Sequence, residues 1–226
     1  MEPKHPDITI VLATGNKDKV RELKPVLEGL ASGISVRSLH DLSLDIEVEE
    51  TEPTLEGNAR LKADAIFELV SPRLDWFIAL ADDTGLEVDA LGGAPGVYSA
   101  RYAPVPEGAT RTYADNVRHL LSEMRGKSER TARFRTVIAM KGRLPAPDGR
   151  AMLFDETTDG HIDGLITTGP QGDGGFGYDP VFAPEGMERT FAQIGIDEKN
   201  AISHRGRAVM AAATRIGELL SQCGIQ

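Results

Sequence analysis

The sequence predicts an α/β domain built around a mixed sheet, and three observations predict it. Apolar, β-branched segments alternate with amphipathic helical periods over the first part of the chain. Further on, strand-like segments follow one another across turns, which a purely parallel, helix-crossed sheet does not allow. The chain has 226 residues, 40% of them hydrophobic and 27% charged, so it can bury a substantial core.

Residues 8–13 are apolar and β-branched and read as a strand. Thr14-Gly15-Asn16 breaks it, and residues 17–30 resume with Val20, Leu23, Val26, Leu27 and Leu30 at helical spacing. Asn16 suits the N-cap, and Lys17 and Lys19 add positive charge at the positive end of the helix dipole. This is either a phosphate-binding turn or an ordinary capped helix with solvated lysines. Residues 35–39 suggest a second strand, and the acidic run 45–53 a solvated loop. Residues 54–69 read as an amphipathic helix that starts at Pro53-Thr54 and is closed by Pro72. The apolar run 77–81 is a strand that stops at Asp82 and Asp83, delivering charge to a sheet edge. The Gly-rich residues 92–102 read as a ligand-covering loop. A helix at 113–124, a central strand at 134–140, and β segments at 151–154 and 161–166 beyond a hairpin loop complete the sheet. The last helix, 208–220, is preceded by Ser203, a natural N-cap.

Several functions are excluded cheaply. A formal net charge of -10 argues against a dominant non-specific nucleic-acid surface, but not against a nucleotide held by a few local cations. The single cysteine, Cys223, forms no intramolecular disulfide and has no partner that would activate it as a nucleophile. No apolar run of about 18 residues exists to span a membrane, and residues 1–7 lack a signal-peptide core, so the expectation is a cytoplasmic protein without membrane partners. There is no Walker motif, G-x-S-x-G elbow, zinc spacing or C-x-x-C. Gly172-Asp173-Gly174-Gly175-Phe176-Gly177 formally matches G-x-G-x-x-G. An extended, proline-bearing segment follows where a dinucleotide fold requires a helix, so that reading fails.

What remains converges. Asp82 and Asp83 repel unless a cation sits beside them; Mg2+ suits them, and a simple turn cap is the alternative. The glycines at 172–177 let backbone approach a flat or charged ligand, with Phe176 for stacking. Lys199, His204 and Arg205 form either a cationic pocket or a solvated helix start. Jointly these parts describe a phosphate-ester site.

Ordered motifs extend that description. Ala13-Thr14-Gly15-Asn16 with Lys19, Glu49-Glu50-Thr51, Gly57-Asn58-Ala59 with Lys62-Ala63, Ala81-Asp82-Asp83-Thr84-Gly85-Leu86, residues 92–102, residues 174–182 and Ser203-His204-Arg205-Gly206 resemble the inosine triphosphate pyrophosphatase family. The resemblance runs from Ile8 to about Leu220. It implies a two-lobed mixed-sheet fold with a long central sheet flanked by helices, carried by one domain at 8–226 after a short extension, 1–7. It also implies Mg2+-assisted hydrolysis of ITP, dITP and XTP to the monophosphate and pyrophosphate, in a homodimer. Asp83 resembles the family's proton acceptor and, with Glu49 or its neighbour Glu50, would hold the metal. Thr14, Gly15, Asn16, Lys17, Asp18 and Lys19 would cradle the triphosphate. Thr84, Phe176, Gly177, Tyr178, Asp179, Lys199, His204 and Arg205 would hold the nucleotide. A related pyrophosphatase for other modified bases, and a non-catalytic nucleotide-binding regulator, are the rival expectations.

Overall fold

A computed structural model describes residues 7–13, 17–31 and 33–225. Its elements are β1 (Ile8–Leu12), α1 (Lys17–Glu28), β2 (Ile34–Ser38), α2 (Leu55–Val70), β3 (Phe77–Val88) and β4 (Pro95–Gly96). They continue with α3 (Tyr113–Glu123), β5 (Thr131–Pro145), β6 (Ala151–Ile166), β7 (Phe182–Pro184), α4 (Ile196–Ile202) and α5 (His204–Gln222). The strands lie in the order β2-β1-β3-β5-β6-β7, with β4 beside β3. β1 is parallel to β2 and β3, whereas β3–β4 and β6–β7 are antiparallel, so the sheet is mixed as the sequence predicts.

The chain divides into two compact units. The first comprises the chain up to Asp83, Val137–Asp159 and the chain from Ala208. Ile8, Ile10 and Leu12 of β1 pack there with Ile78 and Leu80 of β3 and with Ala212, Ile216 and Leu220 of α5. A separate cluster joins Val11, Ile66, Val70, Phe77 and Ala79. The second unit is Thr84–Thr136 with Gly160–Arg207. Its core gathers Leu86, Val88, Val117, Leu120, Phe134, Ile166, Val181, Phe182 and Phe191.

Three elements differ from the sequence expectation. β3 does not stop at Ala81: Asp82 and Asp83 lie within it, 3% and 7% exposed, and the strand runs on to Val88. The continuation is stabilised because Leu86 and Val88 are fully buried, so ending the strand at the carboxylates would forfeit that burial. The segments expected at 151–154 and 161–166 form one strand, β6. Its polar middle is tolerated because Asp155 pairs with Arg60, and Glu156 is gripped by Arg215 at 2.5 and 2.8 Å. The last helix begins at His204, with the short α4 just before it. Ser203 does cap it: its hydroxyl accepts from the Gly206 amide at 3.1 Å.

Candidate functional site

In the first unit three pieces of chain bring charge together. Thr54 caps α2 by accepting the Gly57 amide, which fixes where the helix starts. Asn58, fully buried, then clamps the preceding acidic segment from both directions. Its Oδ1 accepts from the Glu52 amide at 2.9 Å and its Nδ2 donates to the Glu52 carbonyl at 3.1 Å. Only glycine fits at 57, since a Cβ there would lie 2.5 Å from that of Glu52. One turn after Asn58, Lys62 Nζ donates to Asp83 Oδ1 at 2.8 Å and to Glu50 Oε1 at 3.1 Å. The three side chains are 14%, 10% and 26% exposed. Burial opposes the charge on Lys62, but Asp83, then Asp82 and Glu50, outweigh it and raise its pKa above the ordinary 10.5. Lys62 is therefore a permanent cation at neutral pH, facing more carboxylates than it can neutralise. Glu49, one residue away on an extended segment, is exposed while Glu50 is half-buried.

In the second unit the charges are enclosed in aromatic rings. Asp179 Oδ2 accepts from Lys199 Nζ at 2.6 Å and from the Phe176 amide at 2.8 Å, and the two charged side chains are 3% and 8% exposed. Lys199 Nζ lies 4.8 Å from the Phe176 ring centroid and 5.5 Å from that of Phe191. The Arg205 guanidinium lies 5.3 Å from the Phe176 centroid. His204, 3% exposed, stacks on Phe134 at 4.6 Å and 15°. The glycines earn their place here by close approach. Gly175 has φ +70, and a Cβ on it would sit 2.0 Å from Asp179 Oδ2. Gly177 also has positive φ. Tyr178 is 4% exposed, and its hydroxyl donates to the Ser99 carbonyl at 2.9 Å. Burial raises its pKa, so it stays a neutral donor. Thr84 shares a hydrogen bond of 2.8 Å with the buried Thr136 hydroxyl.

Of the residues expected at the site, Asp83 lies on Lys62, and Phe176, Gly177, Tyr178, Asp179, Lys199, His204 and Arg205 fall in the second-unit cluster or directly beside it. Thr14, Gly15 and Asn16 lie outside the described residues. Lys17, Asp18 and Lys19 open α1, but nothing is described of their side chains. Sequence reasoning gave Lys62 no role and overlooked Thr136. A signal for Lys62 existed: Asn58 and Lys62 are four residues apart on a helix whose buried stripe is Leu55, Ala59, Ala63, Ile66 and Val70. Two polar residues flanking such a stripe at one-turn spacing face the same neighbour.

In this mixed α/β protein the first unit gathers carboxylates on a lysine, and the second holds a cationic, aromatic-lined cluster. The chain belongs to the Ham1 family, whose model matches residues 10–215. It is 89% identical over the full length of both chains to a dITP/XTP pyrophosphatase of Chlorobaculum tepidum. It is 41% identical over 201 residues to the Bacillus subtilis protein of the same name, covering 88% of this chain and 92% of that one. Among solved structures, a HAM1 protein from Coxiella burnetii matches with a TM-score of 0.78 and 34% identity, covering 93% of this chain and 99% of that one. These findings bear out the family and the fold that the motifs indicated. None of the described helices is long and apolar enough to cross a membrane.

Proposed function

We infer that this chain is a nucleoside triphosphate pyrophosphatase that hydrolyses non-standard purine nucleotides, dITP, ITP and XTP, to the monophosphate and pyrophosphate. The 89% identity to a dITP/XTP pyrophosphatase supports the activity. The observation that carries the mechanism is the convergence of Asp83 and Glu50 on Lys62. Asp83 accepts a proton from the water that attacks the α-phosphorus; the bond from that phosphorus to the bridging oxygen breaks, and pyrophosphate leaves. Lys62 holds the Asp83 carboxyl in one orientation.

The enzyme class calls for a divalent metal, and we assign Mg2+ on the chemistry of the donors. Asp83 and Glu49 would supply hard carboxylate oxygens, and Mg2+ takes one or two such ligands from protein and others from substrate phosphates. Bound there, it would neutralise phosphate oxygens and acidify water. Glu49 keeps the role the resemblance implies: it is exposed, whereas its neighbour Glu50 is engaged by Lys62. Residues 14–19 cradle the triphosphate, and Thr84, Phe176, Gly177, Asp179, Lys199, His204 and Arg205 hold the nucleoside. His204 and Arg205 donate to the 6-oxo group; the 6-amino group of adenine would oppose them donor to donor. A cytoplasmic homodimer completes the proposal, and gel filtration checks the dimer.

The test is pyrophosphate release from dITP, XTP, dATP, dGTP and a modified dUTP, with and without Mg2+. Release from dITP and XTP that requires the metal is expected. Equal turnover of dATP sinks the 6-oxo assignment, and nucleotide binding with no release sinks the enzyme. Asp83→Asn should lower kcat by about 10²–10⁴ while nucleotide still binds.

A further inference from the structure

Residues 92–102 read from the sequence as a cover for the ligand, and the proposed mechanism gives them nothing to do. Their hydrogen bonds point elsewhere. β4 pairs with Leu86 and Glu87 of β3. The Ser99 hydroxyl donates to the Gly96 carbonyl at 2.6 Å and accepts from the Leu86 amide at 2.8 Å. The Ser99 carbonyl accepts from Tyr178 Oη at 2.9 Å and from Asn116 Nδ2 at 3.3 Å. Asn116, 2% exposed, also donates to the Ala100 carbonyl and accepts from the Ala103 amide. One residue thus ties β3, α3 and the Phe176–Asp179 loop to a single point.

We propose that residues 92–103 are the anchor of the base-binding loop, and that Tyr178, Ser99 and Asn116 are positioning residues for base recognition, not contacts to the nucleotide. Tyr178 stands between Phe176, whose ring takes the two cations, and Asp179, whose carboxylate holds Lys199 and the Phe176 amide. A tyrosine whose buried hydroxyl has found a partner in another part of the fold cannot drift without leaving that hydroxyl bare. The tether therefore holds Phe176 and Asp179 in their bound arrangement before any ligand arrives. Binding of the base then costs less ordering entropy than it would in a loop free to move.

The inference rests on the reading that Phe176 and Lys199 hold the base, and the experiment separates the two. Tyr178→Phe removes one hydroxyl and keeps the ring. KM for dITP should rise about fivefold to tenfold, the worth of one neutral hydrogen bond, with kcat within about twofold. The inhibition constant of inorganic tripolyphosphate, which has no base, should not change. Ser99→Ala should act in the same direction. In the double variant the two effects on KM should combine to less than their product, because both loosen one anchor. A lower Tm with KM unchanged would reduce the contact to a packing detail and overturn the proposal. So would a loss of kcat, a parallel rise in the tripolyphosphate constant, or effects that multiply. If Phe176→Ala leaves KM for dITP unchanged, the base assignment itself has failed, whatever Tyr178→Phe does.

Discussion

Each unit holds a lysine on a carboxylate at hydrogen-bond distance, yet the two pairs are unlike in everything around them. Lys62 meets Asp83 and Glu50 and feels Asp82, an excess of negative charge among the described side chains, and Glu50 remains a quarter exposed. Lys199 meets Asp179 alone, and both are nearly sealed beneath Phe176 and Phe191. A surplus of carboxylates on one ammonium can exchange that ammonium for another cation or for a proton, which is what phosphate chemistry requires. A matched pair inside aromatic rings has no such freedom, and it holds the shape on which the base is received. The same two functional groups do chemistry or architecture according to how many neighbours compete for them and how much water reaches them.

Substitutions can break this contrast or sharpen it. Lys199→Met should have the largest effect on folding: it strands the buried Asp179, and the expected loss is ~3–5 kcal/mol in denaturant unfolding. Lys62→Met should reverse the pattern, with a modest change in stability but kcat lower by about 10²–10³. If Lys62→Met unfolds the protein while Lys199→Met only lowers turnover, the contrast is wrong. The raised pKa of Lys62 adds a pH condition. The contribution of the protonated lysine is complete below the ordinary 10.5 and is lost only as pH rises through the raised value. No alkaline fall in activity below pH 10.5 should therefore disappear in Lys62→Arg.

Smaller effects calibrate these. Thr136→Val removes the partner of the Thr84 hydroxyl and should cost about 1 kcal/mol, read as stability or as a higher KM, with Thr136→Ser restoring it. Glu156→Gln weakens a half-exposed pair with Arg215 that serves neither cluster, and Tm should fall by about 1–3 °C. Arg215 holds the Glu156 carboxyl below its ordinary 4.5. Its stabilisation is complete above that value and lost as pH falls through the lowered one, so the difference from wild type should vanish in acid.

Much of this was legible in the chain. Strand and helix periods placed the mixed sheet, and the helix start at Thr54 and the cap at Ser203 fell where the sequence put them. The carboxylates of β3 misled because a strand end is the usual place for Asp-Asp. The lysine of a helix distant in sequence helps make the buried, mid-strand Asp83 tolerable, and local pattern does not show which helix supplies it. Glu49 and Glu50 were indistinguishable for a related reason: alternate faces of an extended chain are equivalent until one meets a partner. The Ser99 knot was invisible because its decisive acceptor is a backbone carbonyl, which every residue possesses, and its donors lie 17 and 79 positions away.

The division of the chain into two units has a temporal side. The chain passes from one unit to the other at Asp83, Thr136, Asp159 and Arg207, so neither unit is a continuous stretch of sequence. Ile8 and Ile10 share their core with Ile216, Leu219 and Leu220, which are made much later. The unit bearing Asp83 and Lys62 therefore cannot close its core until helix α5 has been made. A ribosome that stalls before residue 208 releases a chain that retains both members of that pair yet lacks the helix that covers the sheet beneath them.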